Sequence, residues 1–340
     1  MQKKGESQRV DVVGVGENSV DVLATVPHWP GPDEKVQLLN LATLPGGQVA
    51  TALVGCARLG CSTRYLGIFG DDPHGGLVKQ ALETEGVQTD ACLIVGAPNR
   101  SAFIIVDPGK GTRAVLWQRD AALRWPDTSH FAGAVSQARA LLVDATDVAA
   151  STAAARAARA AGVPVFLDVD RMEPGLDGLL RQVDVVIAAD GFPQAHTGAP
   201  SLGDAMRSLA ETYPSAVIVV TLGADGAVAW GRREEIMSPG FVVHVVDPTG
   251  AGDAFRAGFL TAWLEGGGAG LGRMREILEF ANATAALNCR AVGAQTGLPT
   301  RKEVLGLLTD RAVGRSNQTG HGVTHRNDHR TITRLGQPSE

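Results

Sequence analysis

Asp247-Pro248-Thr249-Gly250-Ala251-Gly252-Asp253-Ala254-Phe255 has the residue types and spacing best suited to chemistry in this chain. Small residues at 250, 251 and 252 let the backbone come close to a ligand. The β-branched run before them, Phe241 to Val246, reads as a strand, and the apolar run after them, Ala254 to Leu264, reads as a helix. The first N–H groups of a helix have no intrahelical acceptor and carry the positive end of its dipole, so the turn is a seat for an anion, most often a phosphate. On this reading the N–H groups of Gly250, Ala251 and Gly252 face negative charge as it develops. Asp253 stands where a carboxylate accepts a proton from a nucleophile beside the phosphate. The plain alternative is that Asp253 only caps the helix. The strand–turn–helix setting favours chemistry.

Three other places repeat this logic more weakly. Asp21 follows the strand-like run Val10 to Gly16 and by itself reads as a turn acid. Pro45-Gly46-Gly47 turns the chain into a helix, Val49 to Leu59, and the double glycine removes side chains where a ligand could lie against backbone. Thr221-Leu222-Gly223-Ala224-Asp225-Gly226 ends a strand, which by itself suits a hairpin into the following Ala-Val-Ala-Trp.

DPTGAGDAF, and GGQVATALVGCARLG from Gly46 to Gly60, resemble in that order the two signatures of the ribokinase family of carbohydrate kinases, also called the PfkB family. The resemblance runs from about Val10 to Leu308. It implies transfer of the γ-phosphate of ATP to a hydroxyl of a sugar or sugar-like substrate, with Asp253 as base. Asp21, Gly46, Gly47 and Thr51 would bind that substrate, although relatives usually carry asparagine at the position of Thr51. Thr221, Gly223 and Gly226 would line the nucleotide phosphates and ribose, and Asn282 would lie near the adenine. Relatives often carry Asn-x-x-Glu to organise Mg²⁺. Here the segment reads Ala189-Asp190-Gly191-Phe192, which leaves Asp190 as the stand-in, with Asp168 and Asp170 as other acids near the crevice. The loop Arg290 to Gln295, through Gly293, resembles one that holds a monovalent cation with the backbone near Asp247 and Thr249, so K⁺ dependence is expected. Arg256 is a choice associated with nucleoside-phosphorylating relatives, which makes a nucleoside kinase the nearest rival.

The elements around these residues read as α/β. Strands at Leu141 to Asp144, Val163 to Asp168, Asp184 to Ala188 and Val217 to Leu222 alternate with helices such as Val148 to Ala161, as in a parallel sheet covered on both faces. Ligands of such sheets sit beyond the carboxyl ends of the strands, where every residue singled out above falls. The expected architecture is ribokinase-like: a doubly wound, mostly parallel sheet flanked by helices over 10–310. A small β-sheet lid is expected from about 17–44 and 97–122, with strands near 20–26 and 35–43 and a hairpin from Ser101 to Arg119. The resemblance implies that the lid excludes water from the site and supplies a homodimer contact. Tyr65 to Phe69 reads as one short strand, and Ile277 to Asn288 as a helix.

Composition narrows the class further. With 340 residues, 44% hydrophobic content and a net charge of −5, the chain suits a soluble globular protein with a sizeable core and lacks a nucleic-acid footprint. The start has no signal-peptide h-region and no apolar run approaches membrane-spanning length, so a cytoplasmic protein without membrane partners is expected. Cys56, Cys61, Cys92 and Cys289 form no CxxC pair or zinc array. GVGENS after the first strand lacks the third glycine of a dinucleotide fingerprint, which disfavours an NAD dehydrogenase. A non-catalytic sugar or nucleotide sensor is the rival from another class. From Arg311 to Glu340 apolar spacing disappears and a disordered tail is expected, in which His321, His325 and His329 recur every four residues.

Overall fold

The computed structural model describes residues 9–110, 112–214, 216–231, 234–267 and 271–319. The first apolar run becomes β1 (Val10–Val15), after which the chain leaves for β2 (Ser19–Thr25) and β3 (Asn40–Gly46). It continues through β4 (Thr63–Leu66), β5 (Ile68–Gly70), β6 (Leu93–Val95), β7 (Ser101–Asp107) and β8 (Thr112–Gln118). Then follow β9 (Ala138–Asp144), β10 (Val165–Val169), β11 (Val185–Ala189), β12 (Val217–Thr221), β13 (Ala227–Gly231) and β14 (Glu234–Ser238).

Eight of these strands form one sheet in the order β14-β13-β12-β11-β10-β9-β1-β4. Its neighbours are parallel from β4 to β12, and β13 and β14 join antiparallel at one edge. The strands are apolar on both faces because both are covered. Val12, Leu142, Phe166 and Ile187 point into a core shared with the helices Gln48–Arg58, Ala251–Glu265 and Met274–Asn288. Val13, Leu141, Leu167 and Val186 point the other way, towards Ala150, Ala154 and Ala158 of the helix Val148–Ala160. A separate four-stranded sheet, β3-β2-β7-β8, matches the expected lid. In it Asp21 lies opposite Leu44 on one side and Ala102 on the other.

Four expectations need correcting. Phe241 to Val246 forms no strand: it finds no partner after β14, Val242 is wholly exposed, and Val246 N–H instead donates to Cys289 O. The lid strand expected near 35–43 begins only at Asn40, which pairs with Thr25, the last residue of β2. The run Tyr65 to Phe69 is divided between β4 and β5, which belong to different sheets. The last helix, Arg301–Thr319, extends into the segment expected to be a tail. It is started by Thr300, whose N–H and hydroxyl both donate to Glu303 at 2.7 Å. His321, His325 and His329 lie outside the described residues.

Candidate active site

The turn from Asp247 to Asp253 is held by the loop that follows the helix Met274–Asn288. Asp247 is buried; its Oδ1 accepts from Thr249 N at 2.9 Å and Thr249 Oγ1 at 2.7 Å, and its Oδ2 accepts from Gly293 N at 2.8 Å. Asn288 Nδ2 donates to Thr249 O at 3.1 Å, and the N–H groups of Val246 and Asp247 both donate to Cys289 O. Gly250 caps the helix Ala251–Glu265 with φ 76°, and a Cβ there would stand 2.5 Å from Ala294 O. Dihedral and packing both require glycine. The N–H of Ala251 donates to Pro248 O at 3.2 Å, so of the three donors expected to face an anion this one is used inside the turn.

Asp253 sits in the first turn of that helix, with its side chain 14% exposed. Burial pushes its carboxyl up to about 7, opposed by the Arg256 guanidinium and reinforced by the negative charges of Asp21, Asp170 and Asp144. A carboxylate poised near neutral pH suits a general base. Arg256 Nη1 is 3.6 Å from Asp253 Oδ1, while Nη2 is ion-paired with Asp168 Oδ1 on β10. Burial also raises the Asp168 carboxyl well above its usual range, against the pull of Arg256.

Asp21 lies on β2 and is almost fully buried. Its Oδ1 accepts from Ser19 Oγ at 2.8 Å, and Ser19 Oγ accepts from Arg100 Nη1 at 2.7 Å. Burial raises the Asp21 carboxyl, while the Ser19 hydrogen bond and Arg100 work against that. A Cβ on Gly46 would overlap Asp21 Oδ2, and Gly47, at φ 96°, is pressed against the Asn18 backbone. The double glycine therefore seats the Asp21 carboxylate as well as opening backbone. Asp21, Gly46 and Gly47 gather at one place, and Asp21 is near enough to Asp253 to raise its proton affinity. Thr51 is fully buried and its hydroxyl accepts from Gln295 Nε2 at 3.3 Å. It braces the loop behind the turn.

The expected nucleotide residues also gather together. Thr221 ends β12, and its hydroxyl donates to Ala188 O at 3.4 Å. A 3-10 turn, Gly223–Asp225, leads to Gly226, which at φ 99° fits against Ser238 O and Gly240 N with no room for a side chain. Asn282 Nδ2 donates to the same Ser238 O at 3.0 Å and to Pro239 O at 3.5 Å, so its amide pins the end of β14 behind the glycine turn. The glycine turn and the helix start suit a polyphosphate. Asp190, just after β11, is exposed, and among the described residues no group of three or more His, Cys, Asp or Glu could hold a metal ion. A hard cation here would take most of its ligands from phosphate oxygens and water.

The sequence reading missed the buried polar network under the lid. Glu17 Oε1 is 2.6 Å from Arg100 Nε, yet burial pushes its carboxyl up to about 7. Glu17 N–H donates to Asp144 Oδ2 at 2.6 Å, joining the network to the end of β9. Asn18 Nδ2 donates to Tyr65 Oη at 2.9 Å and Ile68 O at 2.8 Å, and Asn18 Oδ1 accepts from Asn99. The available signal was Glu17-Asn18-Ser19 wedged between two apolar strands.

The model of the pfkB family carbohydrate kinases matches residues 9–301. The chain is 28% identical over 301 residues to a ribokinase of Haemophilus influenzae, covering 86% of this chain and 97% of that protein. It is 33% identical over 299 residues to a fructokinase of Escherichia coli, covering 81% and 97%. The solved structure of Arabidopsis thaliana ribokinase complexed with ribose and ATP superposes with a TM-score of 0.76 at 28% identity, covering 88% of this chain and 98% of that one.

Proposed function

The chain belongs to the pfkB family of carbohydrate kinases, and on that premise we propose that it transfers the γ-phosphate of ATP to a sugar hydroxyl. The observation that carries this reading is Asp253: a carboxylate at a helix start, poised near neutral pH, within electrostatic reach of Asp21. Asp21 accepts hydrogen bonds from acceptor hydroxyls and, with Gly46 and Gly47, fixes the sugar against the turn. Asp253 takes the proton of the attacking hydroxyl as its oxygen bonds to the γ-phosphorus and the bond to the ADP oxygen breaks. The N–H groups of Gly250 and Gly252 stabilise the charge on the transferred group. Thr221, Gly223 and Gly226 hold the nucleotide phosphates. Asp190 is the residue expected to help hold Mg²⁺, which would supply neutralisation of phosphate charge when bound.

Turnover of Asp253→Asn, scored by ADP release against a panel of sugars and nucleosides, tests the assignment. A loss of about 10²–10⁴-fold is expected with the fold intact, and near-normal turnover refutes the role. The same assay separates a sensor, which would give ligand-induced thermal shifts without ADP. Arg256, the choice associated with nucleoside-phosphorylating relatives, is engaged by Asp168 and Asp253.

Three finer points belong to the same proposal. The Arg290 to Gln295 loop, with the backbone near Asp247 and Thr249, would hold K⁺, and equal rates in K⁺ and in a bulky inert cation would remove this point. Leu41, Phe103 and Leu116 are exposed on the lid, and Phe103 and Leu116 are cross-strand neighbours, which suits a homodimer contact through that sheet. A Leu116→Asp variant that sediments like the parent argues against that interface. A cytoplasmic location agrees with four free cysteines and with the absence, among the described residues, of any helix long and apolar enough to cross a membrane.

A further inference from the structure

Arg256 is 5% exposed one helical turn after Asp253, and the reaction outlined above gives it no task. Its guanidinium lies between two carboxylates, with Nη2 paired to Asp168 Oδ1 and Nη1 3.6 Å from Asp253 Oδ1. The arrangement is built into the turn, because a Cβ on Gly252 would stand 2.5 Å from Nη1. The third small residue of the GAG run is thus glycine partly to admit this guanidinium. Among the described residues Arg256 Nε and both Asp168 oxygens make no further hydrogen bond, so each ion is held mainly by the other. A buried arginine–carboxylate pair is a poor way to gain stability, since desolvation offsets most of the attraction. Its position behind Asp253 suggests another use.

We propose that Arg256 is a positioning residue for Asp253: clamped from behind by Asp168, its guanidinium holds the Asp253 carboxylate ionised and directed at the acceptor hydroxyl. This rests on the reading of Asp253 as the base. The groups facing Asp253 come from several elements. Asp21 lies on the lid strand β2, Asp144 ends β9, Asp168 is on β10, Asp170 follows β10, and Arg256 is on the helix Ala251–Glu265. Asp21, Asp144 and Asp170 favour the protonated form of Asp253, and Arg256 is the charge that opposes them. Without the guanidinium, Asp253 keeps its proton to higher pH, and the base is lost first on the acid side.

The test is the pH dependence of kcat/KM for the full chain, with ATP saturating and the sugar that gives most ADP. It is measured in the parent, Arg256→Gln and Arg256→Lys, with Asp253→Asn alongside. In Arg256→Gln the acid limb should move up by about one pH unit or more, with activity recovering towards the parent at high pH. Arg256→Lys should shift it less, because an ammonium keeps the charge but cannot span both carboxylates. A merely structural role would lower activity evenly across pH. If Arg256→Gln does not fold, as judged by thermal melting, Arg256→Lys is the variant read. A folded variant whose acid limb superposes on the parent's, with Asp253→Asn inactive, overturns this proposal alone. Near-normal turnover of Asp253→Asn overturns the base assignment and this inference with it.

Discussion

Gly46 and Asp21 are packed so closely that a methyl group on Gly46 would overlap Asp21 Oδ2. The contact follows from the register of the lid, in which Gly46 pairs with Ser19 while Ser19 Oγ holds the other oxygen of Asp21. Gly46→Ala should therefore displace the carboxylate from its seat without disturbing the nucleotide end. Losing a charged hydrogen bond to the sugar, about 1.5–3 kcal/mol, corresponds to roughly a 10- to 150-fold fall in acceptor kcat/KM. The KM for ATP should stay nearly constant. Steady-state kinetics with each substrate varied in turn separates the two, and an equal change in both constants counts against the role given to Asp21.

The pH dependence of the parent enzyme follows from the Asp253 carboxyl, which burial raises to about 7. A base works when deprotonated, so kcat/KM should fall tenfold per pH unit below about 7 and level off above it. An unburied aspartate would place this limb near pH 4. A profile flat down to pH 5 would contradict the assignment.

Glu17 links stability to pH. Its folded carboxyl is raised to about 7 and binds a proton more tightly than it does in the unfolded chain. Between about pH 4.5 and 7 the folded state therefore holds more protons, and this group's contribution to stability falls as pH rises through that window. The full difference is about 3 kcal/mol. Glu17→Gln cannot ionise, so its stability relative to the parent should improve as pH increases from about 5 to 8. Urea titrations at the two pH values measure this directly, and parallel pH trends in both proteins would show that Glu17 does not titrate in this range.

Asp247 closes the turn before Asp253 through bonds to Thr249 and Gly293. Asp247→Ala should cost roughly 2–4 kcal/mol, because it leaves buried donors unpaired. Turnover should fall as well, since the helix start is no longer fixed against the 290–295 loop. Denaturant unfolding read together with kcat tests this, and an active but destabilised variant would detach the turn's order from catalysis.

Much of the fold was legible from local chemistry. Apolar runs such as Val10 to Val15 and Val217 to Thr221 become strands buried on both faces, and alternation from Ser101 to Gln118 becomes a lid hairpin. Phe241 to Val246 shows the limit of that reading: β-branched residues favour a strand only where another strand offers an edge, and none does there. Thr51 and Asn282 show the same limit for side chains, because the hydrogen bonds they make with Gln295 and Ser238 come from distant parts of the chain.

The sequence by itself determined the glycine turn, the helix start and the placement of Asp253 in its first turn, since these are adjacent in the chain and their geometry is local. Tertiary structure alone decided what surrounds that acid. Asp21, Asp144, Asp168 and Asp253 are far apart in sequence, and they act on one another only because the parallel strands and the lid bring their ends to one crevice. Burial and charge act through space, so the proton affinity of Asp253 and the clamp of Asp168 on Arg256 exist only once the chain has folded.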